Sequence, residues 1–141
     1  MPSTVTSLSD SIGLYLHIPF CSAICDYCNF NRGLYDENLK QRYVNALKDE
    51  IERWDDARSV DSIFFGGGTP SLLTASDVSE ILAACRSVFA VGSDVETTLE
   101  MNPESCTQLH VKELLDAGIT RVSLGVQSFL DHELKRLGRA H

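Results

Sequence analysis

The sequence has little basic charge, no apolar run long enough to cross a bilayer, and too odd a set of cysteines for a disulfide framework. Twelve Lys and Arg stand against twenty Asp and Glu, a formal net charge of −8 over 141 residues. Such an excess repels phosphate backbones and anionic lipid surfaces unless basic residues gather locally, and no basic stripe is visible, so a nucleic-acid partner is not expected. The first ten residues are rich in Ser and Thr and carry neither a basic start nor an apolar core, so they do not read as a secretory leader. Without a membrane span, the expected location is the cytoplasm. Five cysteines cannot all pair, and three of them cluster within eight positions, which points to reduced thiols and a metal. Low-complexity linkers and internal repeats are also missing. The length and ordinary apolar content suit one globular domain, or one piece of a larger one.

What the sequence does have is the spacing C-x3-C-x2-C at Cys21, Cys25 and Cys28. Three thiolates so placed can converge on a soft metal centre and leave one coordination position open for chemistry. Spacing alone leaves two other readings standing, a zinc site completed by a distant fourth ligand and a redox pair with a spare thiol. His17 is a poor fourth ligand, since in a strand it packs or hydrogen-bonds locally. Cys85, on an apolar helical face, and Cys106, near a helix start, read as inert buried thiols.

Hydrophobic periodicity places these cysteines directly after a strand. Ile12, Leu14, Leu16 and Ile18 alternate with Gly13, Tyr15 and His17, and Pro19 ends the run. Leu39, Tyr43, Leu47, Ile51 and Trp54 recur at helical spacing behind an Asp36 cap. A second strand, Val60 to Phe65, enters a glycine loop at Gly66, Gly67 and Gly68. Thr74 and Asp77 stand at capping-box spacing before a helix whose apolar face runs from Val78 to Phe89. Val95 to Met101 alternates as a third strand, and Ser105 and Gln108 together are expected to cap a helix closed by Gly118. A fourth strand follows from Val122 to Val126, and a helix begins at Asp131. Alternating strands and helices imply right-handed crossovers and an α/β fold with a parallel sheet. In such folds the loops at the carboxyl ends of the strands carry function. The cysteine loop, Gly66 to Pro70, Glu100 to Pro103 and Gln127 to Phe129 are therefore expected on one rim.

The run Tyr15-Leu16-His17-Ile18-Pro19-Phe20-Cys21, followed by Cys25, Asp26-Tyr27 and Cys28, resembles the cluster loop of the radical S-adenosylmethionine (SAM) superfamily. Phe65-Gly66-Gly67-Gly68-Thr69-Pro70-Ser71, Glu100-Met101-Asn102-Pro103, Val122 to Phe129 and Leu137-Gly138-Arg139 resemble, in the same order, its HemN/HemW subfamily. The resemblance implies a partial parallel (β/α) barrel with about four of six strand–helix units present. Residues 1–11 then form a flexible tail, and 12–141 the N-terminal part of a radical SAM core whose remaining barrel and C-terminal domain lie beyond this chain.

Carried over residue by residue, the resemblance implies that Cys21, Cys25 and Cys28 ligate a 4Fe–4S cluster and that SAM chelates the fourth iron, where one electron breaks its C5'–S bond. Gly66, Gly67, Gly68 and Thr69 would approach the methionine amino group, where side chains without Cβ leave room for backbone. Glu100 would accept from ribose hydroxyls. Tyr27 would stack on adenine, and Tyr15, Phe30, Gln127 and Arg139 match cofactor-side positions, Arg139 by pairing with a carboxylate. At Phe30 the HemN-type dehydrogenases resemble one another in having a fourth cysteine, so this chain is more similar to the HemW group. That similarity implies haem binding by the full-length protein, delivery to a haem-acceptor protein, and an electron donor such as a flavodoxin or ferredoxin. The alternative is an oxygen-independent dehydrogenase that decarboxylates coproporphyrinogen III. Haem ligands are expected downstream of this chain, and His110, His132 and His141 are read as solvated.

Overall fold

A computed structural model of the chain describes residues 11–23, 25–29 and 31–139. The flexible tail expected over the first residues, the Phe30 position and His141 thus lie outside the described residues, except for Ser11. Four strands form one parallel sheet in the order β1 (Ile12–Ile18), β4 (Ser59–Gly67), β5 (Ala90–Met101), β6 (Arg121–Leu124). The helices α1 (Glu37–Glu52), α2 (Ala75–Val88) and α3 (Gln108–Ala117) connect them as successive crossovers, and α4 (Asp131–Arg136) follows β6.

The strand alternation separates two faces. Leu16 pairs with Phe65 and Phe65 with Leu99, and all three are buried with Ile18, Ile63 and Met101 against Val44, Ile51, Val78, Ile81, Leu82 and Leu114 from the helices. Burying a Leu, Ile or Phe side chain is worth about 1.5–3 kcal/mol, so this layer supplies the main drive for folding. The neighbouring register positions carry His17 opposite Gly66 and Glu100 opposite Ser123. Polar groups and glycines therefore occupy the face turned away from the helices.

The helix starts follow local chemistry. Asp36 caps α1 by accepting from the Leu39 N–H. Both halves of the capping box are present at α2, with Thr74 Oγ1 accepting from the Asp77 N–H at 3.1 Å and Asp77 from the Thr74 N–H at 2.9 Å. Thr107, not Ser105 or Gln108, caps α3 by accepting from the His110 N–H at 3.2 Å, because Ser105 is held in a 3₁₀ turn where its hydroxyl donates to the Asn102 carbonyl. Gly118 ends α3 at φ 114°, a left-handed conformation that suits glycine.

Several expected boundaries shift. Gly66 and Gly67 extend β4 rather than opening the loop, β5 begins at Ala90, and β6 ends at Leu124. Leu39 and Trp54 are exposed, since the buried stripe of α1 runs through Lys40, Val44 and Ile51. Leu115 is likewise exposed. Cys85 is fully buried, which lifts its thiol to about 11 and keeps it protonated, whereas Cys106 is exposed rather than buried.

Candidate functional site

The cysteine loop is held at its base by a second, two-stranded ladder, β2 (Phe20–Cys21) with β3 (Gly33–Leu34), paired in parallel. The Gly33 N–H donates to the Pro19 carbonyl at 2.6 Å and the Tyr35 N–H to the Cys21 carbonyl at 2.9 Å. Inside the loop, the Cys28 N–H donates to the Cys25 carbonyl at 3.2 Å. This clamp joins the two ends of the cysteine loop, at Cys21 and Gly33, beside the end of the main sheet. A ladder of two residues per strand has no periodicity to read, so the sequence carries no signal for it.

His17 ties the same loop to β1. Its Nε2 lies 2.8 Å from the Asn31 carbonyl and its Nδ1 lies 3.2 Å from Tyr15 Oη, while Tyr43 Oη donates to the His17 carbonyl. The ring therefore packs and hydrogen-bonds within the strand region, as expected. Against it lies Gly67, at φ 116°, where an added Cβ would stand 2.7 Å from His17 Cε1 and 2.9 Å from the Ile18 carbonyl. Only glycine fits that position without strain. At Gly68 a Cβ would stand 2.6 Å from the Phe20 carbonyl and 3.0 Å from Cys21 Sγ, so the glycine turn lets backbone lie directly against a candidate ligand.

These parts enclose a cavity of about 180 Å³ at the carboxyl ends of the strands. Cys21, Cys25 and Cys28 line it with Tyr27, Gly67, Gly68, Thr69, Glu100, Gln127 and Arg139. The four loops expected on one rim do share it. Tyr15 and Gly66 lie outside its lining: the Tyr15 ring packs on Phe64 and, with Gly66, belongs to the adjacent strand surface. A wider cleft of about 450 Å³ opens beside β1 between Leu14, Tyr43, Leu47 and Trp54, but Cys85 is its single cysteine and is buried.

Glu100 Oε2 accepts from the Gly67 N–H at 3.2 Å, which orients the carboxylate across the cavity floor. Gln127 takes φ 66°, a left-handed conformation that a side chain rarely adopts and that marks functional turns. Arg139 reaches across the rim, donating to the Gly125 carbonyl at 2.7 Å and Asn102 Oδ1 at 3.0 Å, with Nη1 3.6 Å from Cys25 Sγ. Gly138 makes this reach possible at φ 68°, packed so that a Cβ would stand 3.1 Å from Asp26 Oδ2. Burial lifts the Cys21 thiol above its usual range, against a hydrogen bond to Thr69 and the charge of Arg32 that pull it down. Burial also lifts Tyr27, opposed by Arg139. A metal entering this cavity must displace the Cys21 proton, which couples binding to proton release.

The residues present suit an anionic cluster. The Nε atoms of Arg32 and Arg139 are buried and have no hydrogen-bond partner, and both side chains line the thiol cavity. Among the described residues no three His, Cys, Asp or Glu side chains come together around one metal ion. A four-iron cluster offers each of three thiolates its own iron. Arg32, Asn102, Ser123 and Gly125 also line the cavity and were not singled out by sequence reasoning. The Glu100-Met101-Asn102-Pro103 segment held a signal for Asn102. For Arg32 the only signal is a cation close behind Cys28 in an acidic chain. His110, read as solvated, instead lies 3.0 Å from the Ser71 carbonyl and helps seat the turn behind the glycines.

The family model for the radical SAM superfamily matches residues 15–141. The chain therefore belongs to the radical SAM superfamily, and its α/β fold is the partial parallel (β/α) barrel of that type. Membership implies a 4Fe–4S cluster, S-adenosylmethionine and a source of electrons. The chain is 38% identical over 138 residues to the heme chaperone HemW of Haemophilus influenzae, covering 92% of this chain and 36% of that protein. It is also 38% identical over 143 residues to the mitochondrial radical S-adenosyl methionine domain-containing protein 1 of Bos taurus, covering 99% of this chain and 32% of that protein. Among solved structures it matches coproporphyrinogen III oxidase (HemN) from Escherichia coli, described as a radical SAM enzyme, with a TM-score of 0.85 and 30% identity over 94% of this chain and 32% of that one. The chain thus spans about a third of the length of these relatives. Among the described residues no helix is long and apolar enough to cross a membrane.

Proposed function

We propose that the chain is the N-terminal part, residues 12–141, of a radical SAM core in a HemW-type haem chaperone. The observation that carries the reading is the 38% identity to a heme chaperone across 92% of the chain. In this reading Cys21, Cys25 and Cys28 hold the 4Fe–4S cluster, which when bound supplies an electron to SAM. Gly67, Gly68 and Thr69 present backbone to the methionine end of SAM, with Gly66 and Tyr15 supporting the strand end behind them. Glu100 takes the ribose hydroxyls, Tyr27 covers the adenine, and Gln127 and Arg139 face the carboxylate. The preset tilt of Glu100 by the Gly67 N–H supports its role. Haem is bound by residues outside this chain and passed to an acceptor protein, in a reducing compartment such as the cytoplasm.

A second reading, coproporphyrinogen III oxidation, is favoured by the TM-score of 0.85 to HemN. Phe30, at the position of the dehydrogenase-type fourth cysteine, favours the chaperone. Supplying full-length protein with haem and with coproporphyrinogen III separates the two. Haem transfer to an acceptor without vinyl-group formation is expected; vinyl formation without haem transfer would overturn the chaperone reading.

A further inference from the structure

We propose that Arg32 is a charge-compensating residue of the thiol cavity that raises the reduction potential of the cluster, an assignment that rests on reading Cys21, Cys25 and Cys28 as its ligands. The backbone on both sides of Arg32 is pinned, Asn31 by the 2.8 Å contact to His17 Nε2 and Gly33 by its bond to the Pro19 carbonyl at 2.6 Å. Its side chain is thereby directed back over the loop, where Nη2 donates to the Cys25 carbonyl at 3.3 Å. Nε is buried without a partner, and among the described residues Arg32 has no ion pair, unlike Arg58 with Asp56 and Arg121 with Glu96.

An arginine cannot shed its proton, so the charge of this half-buried side chain, with its buried Nε unmet, suits an anion in the cavity it lines. The chain offers acidic side chains in excess, yet the one carboxylate that lines this cavity with Arg32 among the described residues is Glu100, and the other candidates are the three thiols, which become anionic on binding metal. Glu100 keeps its charge but is oriented by the Gly67 N–H at 3.2 Å, and no ion pair joins it to Arg32 among the described residues. Arg139 spends Nη2 on Asn102 and the Gly125 carbonyl and brings Nη1 to 3.6 Å from Cys25 Sγ, so it closes the rim against one thiol, while Arg32 lines the same cavity bound only to the Cys25 carbonyl. A cluster bound by three thiolates is net anionic and becomes more so on reduction. A fixed cation beside it stabilises the reduced form most, because cluster potential follows local charge, hydrogen bonding and solvent access.

The test is an EPR-monitored redox titration of the reconstituted full-length protein, with iron and sulfide measured in each sample, for native protein, Arg32→Gln and Arg32→Lys. Arg32→Gln should keep its iron but show a reduced-to-oxidised ratio at fixed potential at least tenfold lower, equivalent to 59 mV for one electron. Arg32→Lys, which keeps charge without the fork, should stay near the native ratio. An unchanged ratio in an iron-replete Arg32→Gln protein overturns the assignment. Should Arg32→Gln lose iron, recovery of both iron and ratio in Arg32→Lys supports it, and iron loss in both variants makes Arg32 merely structural and overturns it. Native protein that assembles no four-iron cluster overturns the ligand reading as well, and iron content reveals that before any variant is compared.

Discussion

The buried clasp between α1 and α2 and the rim at the strand ends treat polar groups in opposite ways. In the clasp, Lys40 is only 2% exposed, yet its Nζ reaches Asp77 Oδ2 and Glu37 Oε1, each at 2.9 Å, and Asp77 also accepts from the Thr74 N–H. Every charge there has a partner within the chain. At the rim, two buried arginine Nε atoms have none, and Gly67, Gln127 and Gly138 hold positive φ. The clasp serves folding, because a buried pair whose hydrogen bonds are satisfied fixes how two helices meet. The rim retains one strained residue, Gln127, and unmet donors, and a bound anionic group can offset the cost of the latter.

Removing one rim thiol should break this contrast most completely. Cys25→Ala is expected to abolish assembly of the cluster, measured as iron and sulfide after anaerobic reconstitution, while Cys85→Ala keeps full iron because its thiol is buried in the core. Equal iron loss in both variants would undo the ligand assignment. The clasp should answer to a different probe. Lys40→Met leaves Asp77 buried without its cation, at a cost of about 3–5 kcal/mol in unfolding free energy. Urea denaturation measures that, and a loss below 1 kcal/mol would show that solvent reaches Asp77. Gly67→Val attacks the rim without touching a thiol. Strain at φ 116° and collision with His17 and the Ile18 carbonyl should weaken SAM binding at least tenfold, about 1.4 kcal/mol or more, with iron content retained. Equilibrium dialysis with labelled SAM reads the outcome, and unchanged affinity would remove the glycine turn from the site.

The same contrast explains what could be read from the chain beforehand. Short-range chemistry was legible: the alternation in β1, the Thr74–Asp77 capping box and the Gly118 stop each depend on residues within a turn or two. So were the cysteine spacing and the glycine run, whose meeting at one rim follows from parallel topology. Burial of Lys40 was not legible, because only the packing of α2 across α1 puts Asp77 within reach, 37 positions away. Leu39 and Trp54 erred in the other direction, since periodicity cannot say which edge of an apolar stripe meets the sheet. Arg32 was missed for a related reason. A lone arginine in a loop is usually solvated, and what makes this one different is the β2–β3 ladder that folds it over the thiols.

Acid should separate clasp from rim by a smaller margin. Although burial raises the Asp77 carboxyl, hydrogen bonds from Lys40 and from Thr74 outweigh it and hold the folded value below the unfolded 3.8. A depressed carboxyl contributes stability that is fully present above the unfolded value and is lost as pH falls through the folded one. Lys40 runs the opposite way: burial lowers it, the bonds to Asp77 and Glu37 raise it above 10.5, and its share is lost only as pH climbs through the folded value. Comparing native protein with Asp77→Asn in urea titrations cancels the exposed carboxylates common to both. The gap between them should stay level from neutrality down to about pH 4 and then narrow by about 1 kcal/mol, because a protonated Asp77 still hydrogen-bonds Lys40 but no longer attracts its charge. A gap that stays constant below pH 3.8 would mean that Asp77 is not held ionised by Lys40, and the clasp would then be a packing contact between helices rather than an ion pair.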